Sequence, residues 1–496
     1  MMLAMRKHKA GQSIVLLAAG FLFLFALLAI GVDGGTLYVH RRQLQNVADA
    51  GALAGAYALE ALPLPTYSPA HQKALQIMVD NLPGTSMPGT IPTGASFTQS
   101  LGANYSVTVN ATGGTGWDQY QVTVTHTDQL QMVRLLGFGN VNLSATATAR
   151  SGTYPFALIL FQNDAAQYDN LQPGGNAAVV IQKASSATAG GGGFSNEGFN
   201  VGNGGSAALS FSPCGSAGDL YAVSENPTSA TNLAGRTTGQ TGDSTCSTHP
   251  ASYPKPQTSP LPFPSYPEPA VSGSTYSTAQ VIAAGTYYLC PGTYSSTFAL
   301  SSSALVILTP GVYRFTGAGA FNISGGTLRS ATSADYSGTS PYNANAGTYL
   351  NCTGTPTRPA DGDYGVIMEF APTACAVNQL TMSGGTASID LYPSAKYNHI
   401  SLYVEKYGGA SWHTVCPYVV SPIAIAGTHA INLSGGSGYS IRGAIYGPSE
   451  NATLSGNGSG YGVGQIMLWT AIISGNGTLK ENYDPAYLPY FRGLIQ

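Results

Sequence analysis

Ile14-Val-Leu-Leu-Ala-Ala-Gly-Phe-Leu-Phe-Leu-Phe-Ala-Leu-Leu-Ala-Ile-Gly-Val32 is an uncharged apolar run close to the N-terminus. As a helix it would rise about 28 Å, close to the ~30 Å hydrocarbon core of a bilayer. Ile14, Leu17, Phe21, Leu24, Leu28 and Val32 are therefore expected to anchor the chain in lipid. The next stretch changes character. Leu37, Leu44, Val47, Ala48, Gly51, Ala54, Gly55 and Ala58 fall on one helical face, while Arg41, Arg42, Gln45 and Asp49 fall mostly elsewhere. A membrane helix thus runs on into an amphipathic one, and residues 1–62 read as anchor and stalk. Leu44, Val47, Gly51 and Gly55 form its packing stripe. Gly51-x-x-x-Gly55 admits a close neighbour, either a helix of a partner subunit or this chain's own next unit.

Arg6, Lys7 and Lys9 precede the apolar run, which places the N-terminus in the cytoplasm and the bulk outside. Arg41 and Arg42 follow it and reduce the asymmetry. The run exceeds the ~7–15 apolar residues of a cleaved signal peptide, so a retained single-pass anchor is expected.

Charged residues make up 8% of the chain, against ~25% in an average soluble domain. Gly (63) and Tyr (30) are abundant, as suits many short strands joined by Gly-rich turns. A net charge of −3 gives no basic footprint for nucleic acid. Cys214, Cys246, Cys290, Cys352, Cys375 and Cys416 all lie in the expected exported part. An even count there suggests disulfides, with Cys214–Cys246 and Cys352–Cys375 as sequence-nearest pairings.

Residues 63–150 read as a small α+β unit. Pro63 and Pro65 stop the stalk. A short helix is expected over His71–Leu82, and alternating strands over Tyr105–Asn110, Gln119–His126 and Val141–Arg150. Gly113–Gly116 reads as a hairpin loop, and Leu130–Phe138 as a third helix.

Val32-Asp33 after the apolar run, Tyr38-Val-His-Arg-Arg42, Leu44-Gln-Asn46 and the Ala-rich cluster around Asp49 together resemble the start of TadE/TadG-like Flp pilus-assembly proteins. Leu135-Leu-Gly-Phe138 with Val141–Ala149 is similar to that family's first exported unit. The resemblance implies a pseudopilin-like, membrane-anchored accessory of the tight-adherence secretion apparatus, with other pilus-assembly subunits as partners. One position departs from the family's processed members. Counting from Gly11, the fifth mature position would carry a Glu that docks a neighbour's amine, and here it is Leu16. A protein that stays in the membrane fits that residue better than a polymerising one. Many relatives also carry an Asp-x-Ser-x-Ser metal motif after the first exported unit. This chain has Gln162-Asn-Asp-Ala-Ala-Gln167 there, so no metal site is carried over.

Residues 151–496 read as one Gly/Ser/Thr-rich unit with a Pro-rich, extended or surface excursion around 226–269. Ile323-Ser-Gly-Gly, Met382-Ser-Gly-Gly, Leu433-Ser-Gly-Gly, Leu454-Ser-Gly-Asn and Ile473-Ser-Gly-Asn recur, the last three about 20 residues apart. Strand-plus-Gly units at that period build a right-handed β-helix or solenoid, in which stacked neighbours bury the face that no single coil can. The stretch between Thr327 and Met382 would be a loop thrown out of one coil. A β-sandwich is the alternative.

Chemistry is sparse. Glu369 and Asp390 look isolated, and Asp361 and Asp363 sit in a Gly-containing loop, so no carboxylate ladder of the kind polysaccharide-cleaving β-helices need is visible. No Gly-x-Ser-x-Gly elbow, Walker A or dinucleotide fingerprint occurs in the right context. We expect no enzyme, no cofactor and no metal. The chain reads as a structural or adhesive envelope protein contacting a surface or glycan. The competing expectation is a membrane-tethered β-helix enzyme acting on cell-surface polysaccharide, which three carboxylates converging in a cleft would favour.

Overall fold

The computed structural model describes residues 6–60, 67–112, 118–132, 134, 139–154, 156–162, 171–173, 178–183, 191–199, 208–212, 220–223, 237–239, 255–256, 260–261, 264, 266–316, 321–336, 347–354, 356–371, 380–405, 431–434, 438–456, 459–475 and 478–495. The chain forms two compact units, one of residues 1–152 with 491–496, the other of residues 153–490.

In the first unit a single helix, α1, runs unbroken over Arg6–Glu60. Its sequence switches from all-round apolar to one-sided near Leu37, and burial follows. From Ile14 to Val32 its described large apolar side chains are exposed, whereas Leu44, Val47, Ala48, Ala52, Ala56 and Leu59 are buried. A second helix, α2 (Ser68–Asn81), starts with Pro69 in its first turn, where a missing N–H costs nothing. Both helices pack on an antiparallel sheet of β1 (Ser96–Ser100), β2 (Tyr105–Thr112), β3 (Asp118–Gln129), β4 (Asn140–Gly152) and the C-terminal strand Phe491–Ile495, in that order. Val107, Val109, Val122, Val124, Ala145, Ala147 and Ala149 alternate onto the buried face.

Three features of this unit depart from the sequence expectation. Leu130–Met132 are not helical, Leu130 N donates to Gly139 O, and of the rest of the expected helix only Arg134 is described, in a 3-10 turn. Val133 and residues 135–138 of the expected helix lie outside the described residues, as does the whole of the expected Gly113–Gly116 loop. β1 is too polar to stand out by alternation. The last strand returns from the far end of the sequence and pairs with β4, Leu494 opposite Ala149.

Among the described residues the second unit is β-rich, with one 26-stranded sheet. Its described pairings are all parallel, which excludes the antiparallel sandwich. They fall into three ladders. In one, Ile282, Leu300, Ile323, Met382, Leu433, Leu454 and Ile473 stand opposite one another in succession. These include the apolar residues that precede each recurrent Ser-Gly, so the repeat seen in the sequence is a column of strand positions in register. A second ladder aligns Tyr294, Phe315, Phe370 and Val404. The rings of Tyr294 and Phe315, and of Phe315 and Phe370, each stack at 5.3 Å. A third aligns Leu289, Leu308 and Ser330. The long strand Tyr439–Gly456 contributes to all three, pairing in turn with Ser388–Leu391, Ile400–Val404 and Ile431–Ser434.

Ladder order is not chain order. The first strand of the unit, Phe156–Leu160, pairs with the late strand Ser459–Gly475, and Ala178–Lys183 pairs with the final strand Thr478–Tyr483. The Pro-rich stretch makes this possible. Its described part contacts successive strands of one ladder. Leu261 N donates to Asn196 Oδ1 at 2.6 Å, Tyr446 OH to Pro264 O at 2.6 Å and Tyr403 OH to Tyr266 O at 3.1 Å. Prolines suit a strap that accepts hydrogen bonds without having to donate them. Leu261, Pro264, Tyr266 and Pro269 are buried, so this part is packed rather than a free surface excursion. The stretch between Thr327 and Met382 is more than a loop. Thr348–Leu350 returns to pair with Thr286–Leu289, and Val366–Phe370 joins the aromatic ladder.

Candidate functional site

The predicted anchor residues lie on one exposed helix, from 70% exposure at Ile14 to 48% at Val32, with Leu17, Phe21, Leu24 and Leu28 between. Ile14–Leu59 is, among the described residues, long and apolar enough to cross a membrane. Immediately beyond the apolar run Asp33 is buried, and its carboxylate accepts from Met132 N at 3.0 Å. That contact ties the end of the apolar segment to the β3–β4 loop.

The packing stripe faces inward. A Cβ at Gly51 would meet Met78 Cγ at 2.8 Å, and one at Gly55 would overlap the Tyr120 ring. Leu44 and Val47 are buried in the same cluster. Of the two neighbours this stripe admits, the chain's own α2 and β3 fill it, and the partner-helix alternative gives way. Tyr120 OH stands 2.7 Å from His71 Nδ1, and His71 Nε2 stands 2.8 Å from Gly94 O. The carbonyl requires a proton on Nε2, so Nδ1 accepts from the tyrosine. Burial holds the His71 pKa below its ordinary value, which keeps the ring neutral, and burial raises that of Tyr120 far above its own.

The second unit carries two polar features. The first is a groove of about 550 Å³ whose lining includes Tyr276, Tyr336, Asn351, Asp363, Lys396 and Tyr397. Cys290 also lines it, and a disulfide joins Cys290 to Cys352. This corrects the expected Cys352–Cys375 pairing. The correct pair is distant in sequence but adjacent in the ladder, because Leu289 stands opposite Leu350. Cys214, Cys246, Cys375 and Cys416 lie outside the described residues. The carboxylates near the groove are engaged: Asp363 accepts from Gly365 N and Ser394 Oγ, and Asp361 pairs with Lys396.

The second feature was not legible in the sequence. Glu369, which looks isolated there, is wholly buried and converges with Glu268 and Glu405. Arg314 stands opposite Glu369 in the ladder and bonds all three carboxylates, with Nη2 2.6 Å from Glu405 Oε1. The four residues come from the strap, two strands and a strand end. No spacing rule links them; only the alignment of strands does. Burial, then a hydrogen bond with Glu405, raises the Glu369 pKa to about 8. None of the three carboxylates lines the groove.

The geometry defines a helix that is apolar and exposed along its first half and seated on a small antiparallel sheet along its second. Residues 11–58, the same helix, match the Flp pilus-assembly TadE/G-like family. No curated protein and no solved structure matches the chain.

Proposed function

We propose that the chain is a single-pass accessory protein of a tight-adherence (Flp) pilus system. Residues 14–32 hold it in the cytoplasmic membrane, its N-terminus is cytoplasmic, and both folded units lie outside. The observation that carries this reading is the TadE/G-like match falling on a helix whose apolar half is exposed and whose other half docks a folded unit. Other pilus-assembly subunits are its expected partners.

We read the three parallel ladders as three faces of a β-solenoid, right-handed because parallel crossovers take that hand. The aligned Ile282-to-Ile473 column and the strand Tyr439–Gly456, which serves all three ladders, support that reading. The unit's role is structural or adhesive. Its groove sets the rings of Tyr276, Tyr336 and Tyr397 among Asn351, Asp363 and Lys396, a mixture of apolar faces and hydrogen-bonding groups that suits a glycan or another polar surface. We propose no catalysis. The three converging carboxylates are bonded to Arg314, and those beside the groove stabilise its loops.

The test is a gene deletion complemented with the wild type or with the groove variant Tyr397→Ala/Lys396→Ala. Loss of pili or of surface attachment in the deletion, with attachment alone lost in the groove variant, supports the reading. Unchanged pili and attachment in the deletion overturn it. Labelling of a single cysteine placed at Ser302, from outside intact spheroplasts, checks the orientation.

A further inference from the structure

We propose that His40, His126 and Asp128 form a binding site for a divalent transition-metal ion such as Zn²⁺, just beyond the apolar segment. His40 lies on α1, and His126 and Asp128 lie two apart on β3, hence on the same face of that strand. His40 Nδ1 stands 2.7 Å from Asp128 Oδ2 and 2.9 Å from Oδ1, and His126 Nε2 stands 3.1 Å from Oδ1. The three ligand atoms lie within 4.8 Å of one another.

The second ring nitrogen of His126 gives the independent argument. His126 Nδ1 faces the Asn104 carbonyl at 3.2 Å. A carbonyl only accepts, so Nδ1 carries a proton and donates it. A neutral ring then points the Nε2 lone pair at the Asp128 carboxylate, another acceptor. That side of the site therefore suits a cation. Histidines that ligate metals are commonly held this way, with the far N–H on a backbone carbonyl. A second proton on the ring is the competing cation, and the two differ in what they bind.

Two imidazoles and one carboxylate select borderline transition metals over Ca²⁺ or Mg²⁺, which prefer all-oxygen sites. With bonds of ~2.0–2.1 Å, tetrahedral ligands sit roughly 3.3 Å apart, so the two histidine–carboxylate gaps of 2.7 and 3.1 Å widen on binding while the two imidazole nitrogens, within 4.8 Å of each other, settle to the same spacing. The His126 and Asp128 side chains are 10% and 11% exposed, and the Tyr105 ring stacks on His126 at 4.2 Å, which fixes that half of the site. The His40 side chain is 38% exposed and leaves an entry path. The ion would staple the stalk helix to the sheet.

The test is titration of untagged full-length protein in detergent micelles with Zn²⁺ in a non-coordinating buffer. Metal retained after gel filtration is counted by elemental analysis. The wild type is expected to retain one equivalent more than His40→Ala or Asp128→Asn, and each substitution should weaken that site at least tenfold. His40 is partly exposed on a helix, so His40→Ala keeps the fold, which circular dichroism checks. Equal retention by wild type and variants, or none by either, overturns the proposal and leaves a proton as the cation.

Discussion

Gly55 of α1 and Tyr120 of β3 share one space: a Cβ on residue 55 would overlap Cε1, Cδ1 and Cζ of the tyrosine ring. The ring cannot retreat, because its hydroxyl is bonded to buried His71. Gly55→Ala is therefore expected to destabilise the first unit by about 1–3 kcal/mol, the usual range for overpacking. Gly51→Ala should cost less, since its nearest atoms belong to the flexible Met78 side chain. Gly20→Ala, with nothing within 4 Å, is the control. Urea unfolding in micelles ranks the three, and a Gly55→Ala curve matching the control would show that the ring is not fixed.

The His71 network gives the same unit a pH dependence. Burial lowers the folded-state pKa, so the unfolded chain takes up a proton first as pH falls. Stability is fully present above the unfolded value near 6.5 and is lost as pH drops through the lower folded value. His71→Gln cannot take up that proton. Its deficit relative to the wild type should shrink between pH 7 and 5, measured by paired denaturant midpoints; a constant deficit would contradict the neutral-histidine assignment.

The Cys290–Cys352 bridge closes a sequence separation of 62 residues. Loop-closure entropy for that length assigns it about 4 kcal/mol, acting through the unfolded chain. Cys290→Ser/Cys352→Ser should lower the denaturation midpoint of the second unit while leaving the first unchanged. A midpoint within error of the wild type would mean that the excursion holding Cys352 is ordered independently of the crosslink.

How much of this is legible in sequence follows from the range of the interactions. The apolar run and the Leu44/Val47/Gly51/Gly55 stripe are local patterns with a helical period, and they appear where the residues predict them. The Ser-Gly repeat is also local, and its apolar residues do align. What fills the stripe is not local: Tyr120 and Met78 reach Gly55 and Gly51 only once the sheet and α2 are in place. The same holds for Cys290 with Cys352, and for Arg314 with Glu268, Glu369 and Glu405. Strand alignment creates these neighbours, and their separations along the chain carry no period. The return of Phe491–Ile495 to β4 is the extreme case, since nothing in that short polar and apolar mixture names its partner.

The Arg314 cluster gives the last prediction, and its sign differs from that of His71. Arg314→Met leaves Glu268 and Glu405 without their cation and the buried carboxyl of Glu369 without its donor, and should cost about 1–3 kcal/mol, the usual penalty for leaving such groups unsatisfied. Glu369→Gln keeps the shape and removes only the titration. The folded protein keeps its proton on Glu369 up to about 8, whereas the unfolded carboxyl loses it near 4.5. Between those values the unfolded state binds fewer protons, so this residue's contribution falls as pH rises, by at most about 1.4 kcal/mol per pH unit. Glu369→Gln should therefore gain on the wild type steadily from pH 5 to 8, in denaturant midpoints of the second unit. Parallel curves across that window would mean that Glu369 is ionised in the folded state and that Arg314 alone balances the cluster.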